Sequence, residues 1–418
     1  MEFKRECYIN KLINKQNNGM IKVITGIRRC GKSYLLFKLF YKHLIETGID
    51  DNHIIKIQLD DVKNVDLLDT KKLYYFITEQ IKDKQQYYVL LDEIQLVKNF
   101  ELLLNSMLHI GNVDTYVTGS NSKFLSNDII TEFRGRGDEI RVYPLSFAEF
   151  LPSFKGEKAD ALAEYMIYGG MPMLQNYKIS QEKNKYLQTL FDTVYLKDIK
   201  NRYKINNDGN FEELLNIISS YVGSLTNPTK LENTFKTVKK VNFNHSTIKL
   251  YLDYLKDAFL IDSAYRYDIK GKKYIDTPLK YYFTDIGLRN ARIGFRQTEQ
   301  EHIIENVIFN ELKKREYNVD VGIVEIFTKN KEGKREKKQL EVDFVVNEGS
   351  RRYYIQTALS IPNKEKMEQE QKSLVNIPDS FKKIIVVRDN IQPWQNEEGI
   401  TIVSIYDFLL KDNILELC

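Results

Sequence analysis

One short segment, Thr25–Leu36 (TGIRRCGKSYLL), constrains the fold of this chain more than any other. It follows a strand-like run at Ile21–Ile24. Four of its residues match the pattern G-x-x-x-x-G-K-[ST]: Gly26, Gly31, Lys32 and Ser33. Glycines let such a loop turn its N–H groups toward phosphate oxygens, and the following helix adds the positive end of its dipole. The lysine of the pattern reaches the β- and γ-phosphates, and the hydroxyl coordinates Mg²⁺. The segment therefore predicts a nucleoside triphosphate site.

The whole loop is expected to line the phosphates. The predicted nucleotide-binding residues are Gly26, Ile27, Arg28, Arg29, Cys30, Gly31, Lys32, Ser33 and Tyr34. Among these, Lys32 is also predicted to act in catalysis, because its charge is directed at the transferred phosphate.

An acidic pair follows the run Tyr87–Leu91 (YYVLL), which is typical of a parallel strand buried on both faces. Carboxylates at the carboxyl end of such a strand lie where α/β sheets bind ligands. We therefore predict that Asp92 holds Mg²⁺ together with Ser33, and that Glu93 orients or polarises the attacking water.

Two further segments are candidates for the same site. Ser120 and Asn121 follow the predicted strand Thr115–Thr118 and are expected to contact the γ-phosphate or its attacking water, with plain turn residues as the alternative. Arg134 and Arg136 lie between glycines in FRGRG. They could stabilise charge on a γ-phosphate, within the chain or across a subunit interface. A solvated loop and a nucleic-acid contact are the alternatives.

Length and composition indicate a multidomain globular protein. The chain has 418 residues, of which 42% are hydrophobic and 29% charged, and roughly 100–200 residues per domain suggests several domains. The net charge of +4, from 62 basic and 58 acidic residues, gives no global signal for nucleic acid. The sequence shows no signal peptide, no run of roughly 18 apolar residues and no metal-type cysteine spacing. We therefore expect a cytoplasmic protein without a membrane partner.

Several motifs together resemble a known family. The segments GIRRCGKS, LLDEIQ, TGSNSKFLS, FRGRGDEIRVYPLSFAEF and YGGMP are similar to the AAA-type ATPase module of a large prokaryotic family of two-part ATPases. In that family a C-terminal domain of unknown function follows the module. The resemblance covers essentially the whole chain. It implies an AAA+-type ATPase with a sensor residue at Ser120 or Asn121 and an arginine-containing segment at Arg134–Arg136, and it implies little about the substrate.

The middle of the chain has the element order of a winged helix-turn-helix. Helices are predicted at Phe211–Val222, Thr229–Lys236 and Asn244–Phe259, followed by strands at Leu260–Asp268 and Lys273–Phe283. The third helix of that fold enters the major groove of double-stranded DNA. Its first residues are therefore the candidate DNA contacts: His245, Ser246, Thr247 and Lys249. Winged helices in ATPases also serve as lids or protein-contact modules, which is the alternative.

The last third has the order helix, three strands, helix, strand, and it resembles the restriction-endonuclease-like fold. Active members hold Mg²⁺ through an Asp in one strand and the Glu of an E-x-K triad in the next, with Lys nearby. Here Asp343 fills the first place and Glu305 is the candidate helix carboxylate, but the triad position reads Gln356-Thr357-Ala358. Gln supplies no anionic ligand and Ala no charge, so we predict a nuclease-like scaffold without cleavage.

The sequence thus predicts an α/β protein in three parts. A P-loop NTPase parallel sheet of the AAA+-like type spans residues 1–155, a helical lid and winged-helix domain spans 156–290, and an inactive α/β restriction-endonuclease-like domain spans 291–418. The leading hypothesis is an AAA+-like ATPase that uses ATP and Mg²⁺ to drive a conformational switch, with DNA, a second copy or a partner protein as candidate partners. One alternative is a DNA-binding regulatory or scaffold protein that senses ATP with little turnover. The other is an ATP-dependent nuclease.

Overall fold

The chain divides into two compact units. The computed structural model describes residues 3–119, 135–205, 208–296, 299–329 and 334–417. The first unit comprises Met1–Leu145, Met171–Gln175 and Asp257–Phe259. The second comprises Ser146–Gly170, Asn176–Lys256 and Leu260–Cys418. Residues of the predicted middle and last domains therefore lie in the same unit. The domain boundaries at residues 155 and 290 remain predictions.

A five-stranded sheet forms the centre of the first unit. Its strands are β1 (Ile21–Thr25), β2 (Ile54–Gln58), β3 (Tyr87–Asp92), β4 (Val113–Thr118) and β5 (Gly137–Arg141). They are arranged in the order β2-β3-β4-β1-β5, and every neighbouring pair is parallel. Strand β3 is buried at all of its residues, as its apolar run predicts. The parallel sheet expected of a P-loop fold is thereby confirmed.

Helices cover this sheet. They are α1 (Glu6–Asn14), α2 (residues 32–46), α3 (Thr70–Thr78) and α4 (Phe100–Met107), with short 3-10 helices at Asp51–His53, Val62–Leu68 and Ile94–Leu96. Helix α2 leaves the phosphate loop and widens into a π-helix over Leu35–Phe40. The apolar faces of α3 and α4 pack with β1, β2, β3 and β4 in one core. This core fixes the carboxyl ends of the central strands relative to one another.

In the part of the chain that the structure describes, the second unit contains more helices than the first. They are α5 (Phe147–Phe150), α6 (Lys158–Tyr168), α7 (residues 180–203), α8 (Asp208–Ser220), α9 (residues 228–239), α10 (His245–Asp257), α11 (Ile286–Arg292), α12 (Gln300–Lys314), α13 (Lys364–Val375), α14 (Ile405–Leu410) and α15 (Ile414–Leu417). Helices α7 and α9 include π-helical parts at Phe191–Leu196 and Phe235–Lys239. Within the ranges that the structure describes, no helix is long and apolar enough to cross a membrane.

An eight-stranded sheet organises the second unit. Its strands are β6 (Ile261–Asp268), β7 (Lys273–Phe283), β8 (Asn318–Lys329), β9 (Arg335–Glu348), β10 (Arg351–Ala358), β11 (Lys382–Val387), β12 (Trp394–Gln395) and β13 (Thr401–Ser404). The order is β12-β13-β11-β10-β9-β8-β6-β7. Strands β6 and β7 form the antiparallel ribbon predicted as a wing, and β6 also pairs in parallel with β8. The ribbon is therefore one edge of the sheet that contains the nuclease-like strands.

Candidate nucleotide-binding site

The phosphate loop makes a close backbone contact with the chain beyond β5. Gly26 has φ +138°, and a Cβ there would lie 2.1 Å from the carbonyl oxygen of Val142, so only glycine fits. The N–H of Val142 donates to the carbonyl of Thr25 at 2.8 Å. Arg29, at φ 62°, and Gly31, at φ 102°, are also left-handed. Residues of this conformation help to turn loop N–H groups to one side, which forms an anion-binding concavity.

Lys32 lies inside this loop. Its side chain is buried, and its Nζ donates to the carbonyl oxygens of Gly26 at 3.0 Å and Ile27 at 3.1 Å. Ile27 and Cys30 are themselves buried, and the Cys30 thiol lies 3.4 Å from the carbonyl oxygen of Val142. The loop therefore holds the lysine charge in place, while the side chains of Ile27 and Cys30 belong to the core beneath it.

Three oxygen-bearing side chains meet at the carboxyl edge of the sheet. Asp92, at the end of β3, is 3% exposed, accepts a hydrogen bond from the Thr118 hydroxyl and lies beside the Ser33 hydroxyl. Burial raises the pKa of Asp92 above its ordinary value, and the interactions with these two hydroxyl groups act in the opposite direction. Mg²⁺ prefers oxygen ligands and is held in such sites by one or two protein groups. The adjacent Ser33 hydroxyl and Asp92 carboxylate fit this ion.

Glu93 follows in a constrained position. Its backbone is left-handed, with φ 54°, which is uncommon for a residue other than glycine. Its N–H donates to Thr118 Oγ1 at 3.0 Å, and the side-chain amide of Gln95 donates to its carboxylate. One hydroxyl, that of Thr118, therefore connects both members of the acidic pair.

Neither Thr118 nor Gln95 was predicted as a site residue from the sequence. A signal for Thr118 was available, because the strand that ends with it was expected beside the strand that ends with the acidic pair. A hydroxyl at that position reaches its neighbour's carboxylate, as the parallel pairing of β3 with β4 allows.

Arg5 directly precedes α1, supports the loop and was also missed. It is 3% exposed, and its guanidinium donates to the carbonyl oxygens of Tyr143 at 2.6 Å and Cys30 at 3.3 Å. The guanidinium also lies 4.6 Å from the ring centroid of Tyr8, whose hydroxyl accepts from the N–H of Tyr143 at 3.0 Å. No motif surrounds Arg5 in the sequence, so only the structure reveals this role.

Three of the predicted site residues, Ser120, Asn121 and Arg134, lie outside the described residues. Arg136 is described, and its carbonyl accepts from the N–H of Ile21 at 2.9 Å. Ile21 begins β1, whereas the phosphate loop follows the other end of this five-residue strand. Four residues of extended chain span about 13 Å. Within one chain, the structure therefore does not bring Arg136 to the loop.

The arginine at the carboxyl edge of β5 is Arg141. It is the register partner of Thr25, which directly precedes the phosphate loop. Its guanidinium lies 4.9 Å from the ring centroid of Tyr143 and 5.1 Å from that of Phe259. Stacking between two aromatic rings gives Arg141 a defined position beside the loop.

The predicted DNA contacts lie at the start of α10. His245, Ser246 and Lys249 are exposed and Thr247 is half-buried. The side chain of Asn244 accepts from the N–H of Ser246 at 2.7 Å, so the helix start is capped. These side chains are available on the surface of the second unit.

The nuclease-like carboxylates also come together. Glu305 Oε1 and Asp343 Oδ1 lie 2.7 Å and 3.9 Å from the Nζ of Lys280 on β7. On β10, the residue that contacts Asp343 is Thr357, through its N–H and its hydroxyl. Lys280 was not predicted as a member of this group.

Comparison with known proteins agrees with this description. Residues 18–151 match a family described as an AAA domain, and residues 159–299 match a domain of unknown function (DUF8612). An uncharacterized protein of Haemophilus influenzae is 34% identical over 415 residues, covering 97% of this chain and 98% of that protein. The chain belongs to the same family as that protein. An uncharacterized protein of Methanocaldococcus jannaschii is 27% identical over 438 residues, covering 99% of this chain and 89% of that protein.

Similar solved structures include the Aeropyrum pernix ORC1 protein in complex with DNA, at 10% identity and a TM-score of 0.30, covering 70% of this chain and 92% of that chain. Cdc6p from Pyrobaculum aerophilum is 13% identical with a TM-score of 0.30, covering 72% of this chain and 94% of that chain. These scores are too low to carry an argument about this chain.

The two matched segments of this chain follow one another in a defined order. An AAA domain followed by a domain of unknown function is the arrangement that the motif resemblance predicted. The matched AAA segment contains the loop, the acidic pair and Thr118. The family therefore implies nucleotide binding at this site.

Proposed function

We propose that this protein is an ATPase, which binds ATP with Mg²⁺ at the phosphate loop and hydrolyses it to ADP and phosphate. The observation that carries the proposal is the linkage at the edge of the sheet: Thr118 contacts both Asp92 and Glu93, and Ser33 contacts Asp92. A loop that only joined a strand to a helix would need none of these contacts.

Each group has a defined task in this proposal. The loop N–H groups and the Lys32 ammonium bind and orient the phosphates. Ser33 and Asp92 hold Mg²⁺, which neutralises phosphate charge when it is bound. The Glu93 carboxylate, oriented by Gln95, accepts a hydrogen bond from the attacking water and so directs it at the γ-phosphorus.

A substitution of the acidic pair tests hydrolysis directly. Glu93→Gln should keep ATP binding and lose most of the turnover, whereas Lys32→Ala should lose binding. Glu79→Gln is a matched control. Glu79 is an exposed glutamate that precedes β3 in the chain, so its substitution should leave turnover unchanged. Equal, near-zero turnover in wild type and Glu93→Gln would contradict hydrolysis and favour the ATP-sensing regulatory protein.

We also propose a homo-oligomer in which a neighbouring copy supplies an arginine. The support is the position of Arg136 at the amino end of β5, away from its own phosphate loop. An arginine supplied in trans stabilises charge on the transferred phosphate. The ATPase rate per chain should then rise with protein concentration, and a rate independent of concentration would contradict the proposal.

Double-stranded DNA is the partner we propose for the second unit, with α8, α9, α10 and the β6–β7 ribbon acting as a winged helix. The support is the exposed start of α10, where His245, Ser246 and Lys249 are accessible, and the exposed Lys236 and Lys240 nearby. Binding measured at increasing salt should weaken as phosphate contacts are screened. Lys249→Gln should reduce the salt dependence, and absence of binding at low salt would contradict this partner.

A further inference from the structure

We propose that the Lys280 ammonium permanently takes the cation position of the nuclease-like region, so that no divalent metal ion binds there. The region resembles a fold whose active members hold Mg²⁺ between carboxylates. Here the residues do not fit that ion, because a protein cation already lies between them. This inference is independent of ATP binding and hydrolysis.

Lys280 contacts carboxylates from two other elements. Its side chain is 3% exposed, and its Nζ lies 2.7 Å from Glu305 Oε1 on α12 and 2.6 Å from Glu341 Oε1 on β9. Asp343 Oδ1, also on β9, lies 3.9 Å away. We call these four residues the Lys280 cluster. Its single cation faces all three acidic side chains, as a bound metal ion would.

Further groups contact the carboxylates of Glu305 and Asp343. Tyr282 donates its hydroxyl to Glu305 at 2.6 Å. Thr357 donates both its N–H and its hydroxyl to Asp343 Oδ2, at 2.8 Å and 2.7 Å. A further contact, 3.8 Å long, joins His302 Nδ1 to Glu305 Oε2. A metal ion bound to both Glu305 and Asp343 would have to displace several of these contacts.

Burial excludes the water that such an ion keeps. The side chains of Glu305 and Asp343 are 7% and 10% exposed, and only Glu341, at 35%, reaches the surface. Mg²⁺ dehydrates reluctantly and usually keeps several waters in an octahedral arrangement. The geometry of the cluster therefore favours the lysine over the hydrated ion.

The charge state of Lys280 agrees with this geometry. Burial acts to lower the pKa of Lys280, but the attraction of Glu305, Asp343 and Glu341 is stronger and raises that pKa well above its usual value. The lysine is therefore charged, and it cannot serve as a proton acceptor for a nucleophilic water. Its role is to hold β7, α12 and β9 together.

Metal binding by variants of the full-length chain tests this proposal. All proteins should be nucleotide-free and carry Asp92→Asn, which removes the metal position at the phosphate loop. Mn²⁺ binding is measured by electron paramagnetic resonance of the free ion. The parent is the Asp92→Asn protein that keeps Lys280. Compared with this parent, Lys280→Ala should gain one Mn²⁺ site and bind Mn²⁺ at least about tenfold more tightly, because removal of the lysine side chain leaves a cavity lined by carboxylates.

Two further variants test whether the charge of Lys280 or the space that its side chain fills keeps the metal ion out. Lys280→Met keeps the bulk of the side chain and should gain much less Mn²⁺ binding than Lys280→Ala. Adding Asp343→Asn to Lys280→Ala should remove the gain. If Lys280→Ala fails to fold, the parent is compared with Asp343→Asn alone. Mn²⁺ binding by the parent that Asp343→Asn abolishes would overturn the proposal, and so would a folded Lys280→Ala variant without any gain. No Mn²⁺ binding by the parent in that comparison supports it.

Discussion

Replacing Thr118 by valine tests whether one hydroxyl holds the acidic pair in its working position. Thr118 Oγ1 donates to the Asp92 carboxylate and accepts from the N–H of Glu93 at 3.0 Å. Valine has nearly the shape of threonine and lacks the hydroxyl. The substitution therefore removes both hydrogen bonds and keeps the packing at the end of β4, where Thr118 is buried.

The size of the effect follows from the two bonds. A hydrogen bond to a charged group contributes about 1.5–3 kcal/mol and a neutral one about 0.5–1.5 kcal/mol. We therefore expect Thr118→Val to lower the free energy of unfolding by about 2–4 kcal/mol. Loss of a group that positions a metal-binding carboxylate lowers metal affinity or activity by about 10–100-fold.

The same substitution should change the pH dependence. Burial raises the pKa of Asp92, and the hydrogen bond from Thr118 opposes that rise. Without this bond the pKa of Asp92 moves higher, so the carboxylate is ionised only at higher pH. Since Mg²⁺ requires the ionised form, ATP turnover by Thr118→Val should begin to fall at a higher pH than that of wild type as the pH is lowered.

ATP turnover measured against Mg²⁺ concentration at several pH values checks this prediction, with thermal unfolding as the stability measurement. Thr118→Ser keeps the hydroxyl and serves as the matched control, which should stay close to wild type. The reasoning is refuted if Thr118→Val retains wild-type turnover and pH dependence. It is also refuted if Thr118→Ser is impaired as strongly as Thr118→Val, because packing of the methyl group would then be the cause.

Three further predictions concern other parts of the chain. Gly26→Ala should abolish binding of a fluorescent ATP analogue, because its Cβ would lie 2.1 Å from a carbonyl oxygen, whereas Gly111→Ala meets nothing within 4 Å and should bind normally. Arg136→Ala should lose turnover and regain part of it when mixed with chains that lack Glu93, if an arginine acts between copies. Burial raises the pKa of Asp285 from 3.8 to about 6. The folded state therefore binds this proton more tightly than the unfolded state, which adds about 3 kcal/mol to the free energy of unfolding below pH 3.8. This stabilisation is lost as the pH rises through 6. Chemical denaturation across this range should therefore show a smaller fall in stability for Asp285→Asn than for wild type.

The phosphate loop and the acidic pair could be predicted because their chemistry fixes residue types at short spacing. Buried parallel strands also leave a clear signal, and the apolar run before Asp92 is indeed the fully buried β3. The supporting contacts of Arg5 and Gln95 left no such signal. Many side chains could fill those places, and only the folded geometry selects them.

The position of Arg136 relative to the phosphate loop was not predicted, although part of it could be derived from the sequence. A residue that precedes a parallel strand lies at the amino edge of the sheet, and the phosphate loop always follows the carboxyl edge. The pairing of Gly137 with Ile21 places Arg136 on that amino edge. The strand Gly137–Arg141 has a weak sequence signal, because only one of its residues is fully buried.

The Lys280 cluster shows why a linear triad is an incomplete test of a nuclease-like site. The triad pattern places a lysine at position 358, where this chain has alanine, so a charged group was predicted to be missing. The fold supplies a lysine from β7 instead, 25 positions before Glu305 in the chain. This position of Lys280 depends on the parallel pairing of β6 with β8, which joins the ribbon to the second sheet. No local sequence pattern predicts that pairing. The absence of cleavage stays a prediction, and the proposed role of Lys280 adds a second reason for it, since this cation is paired and buried.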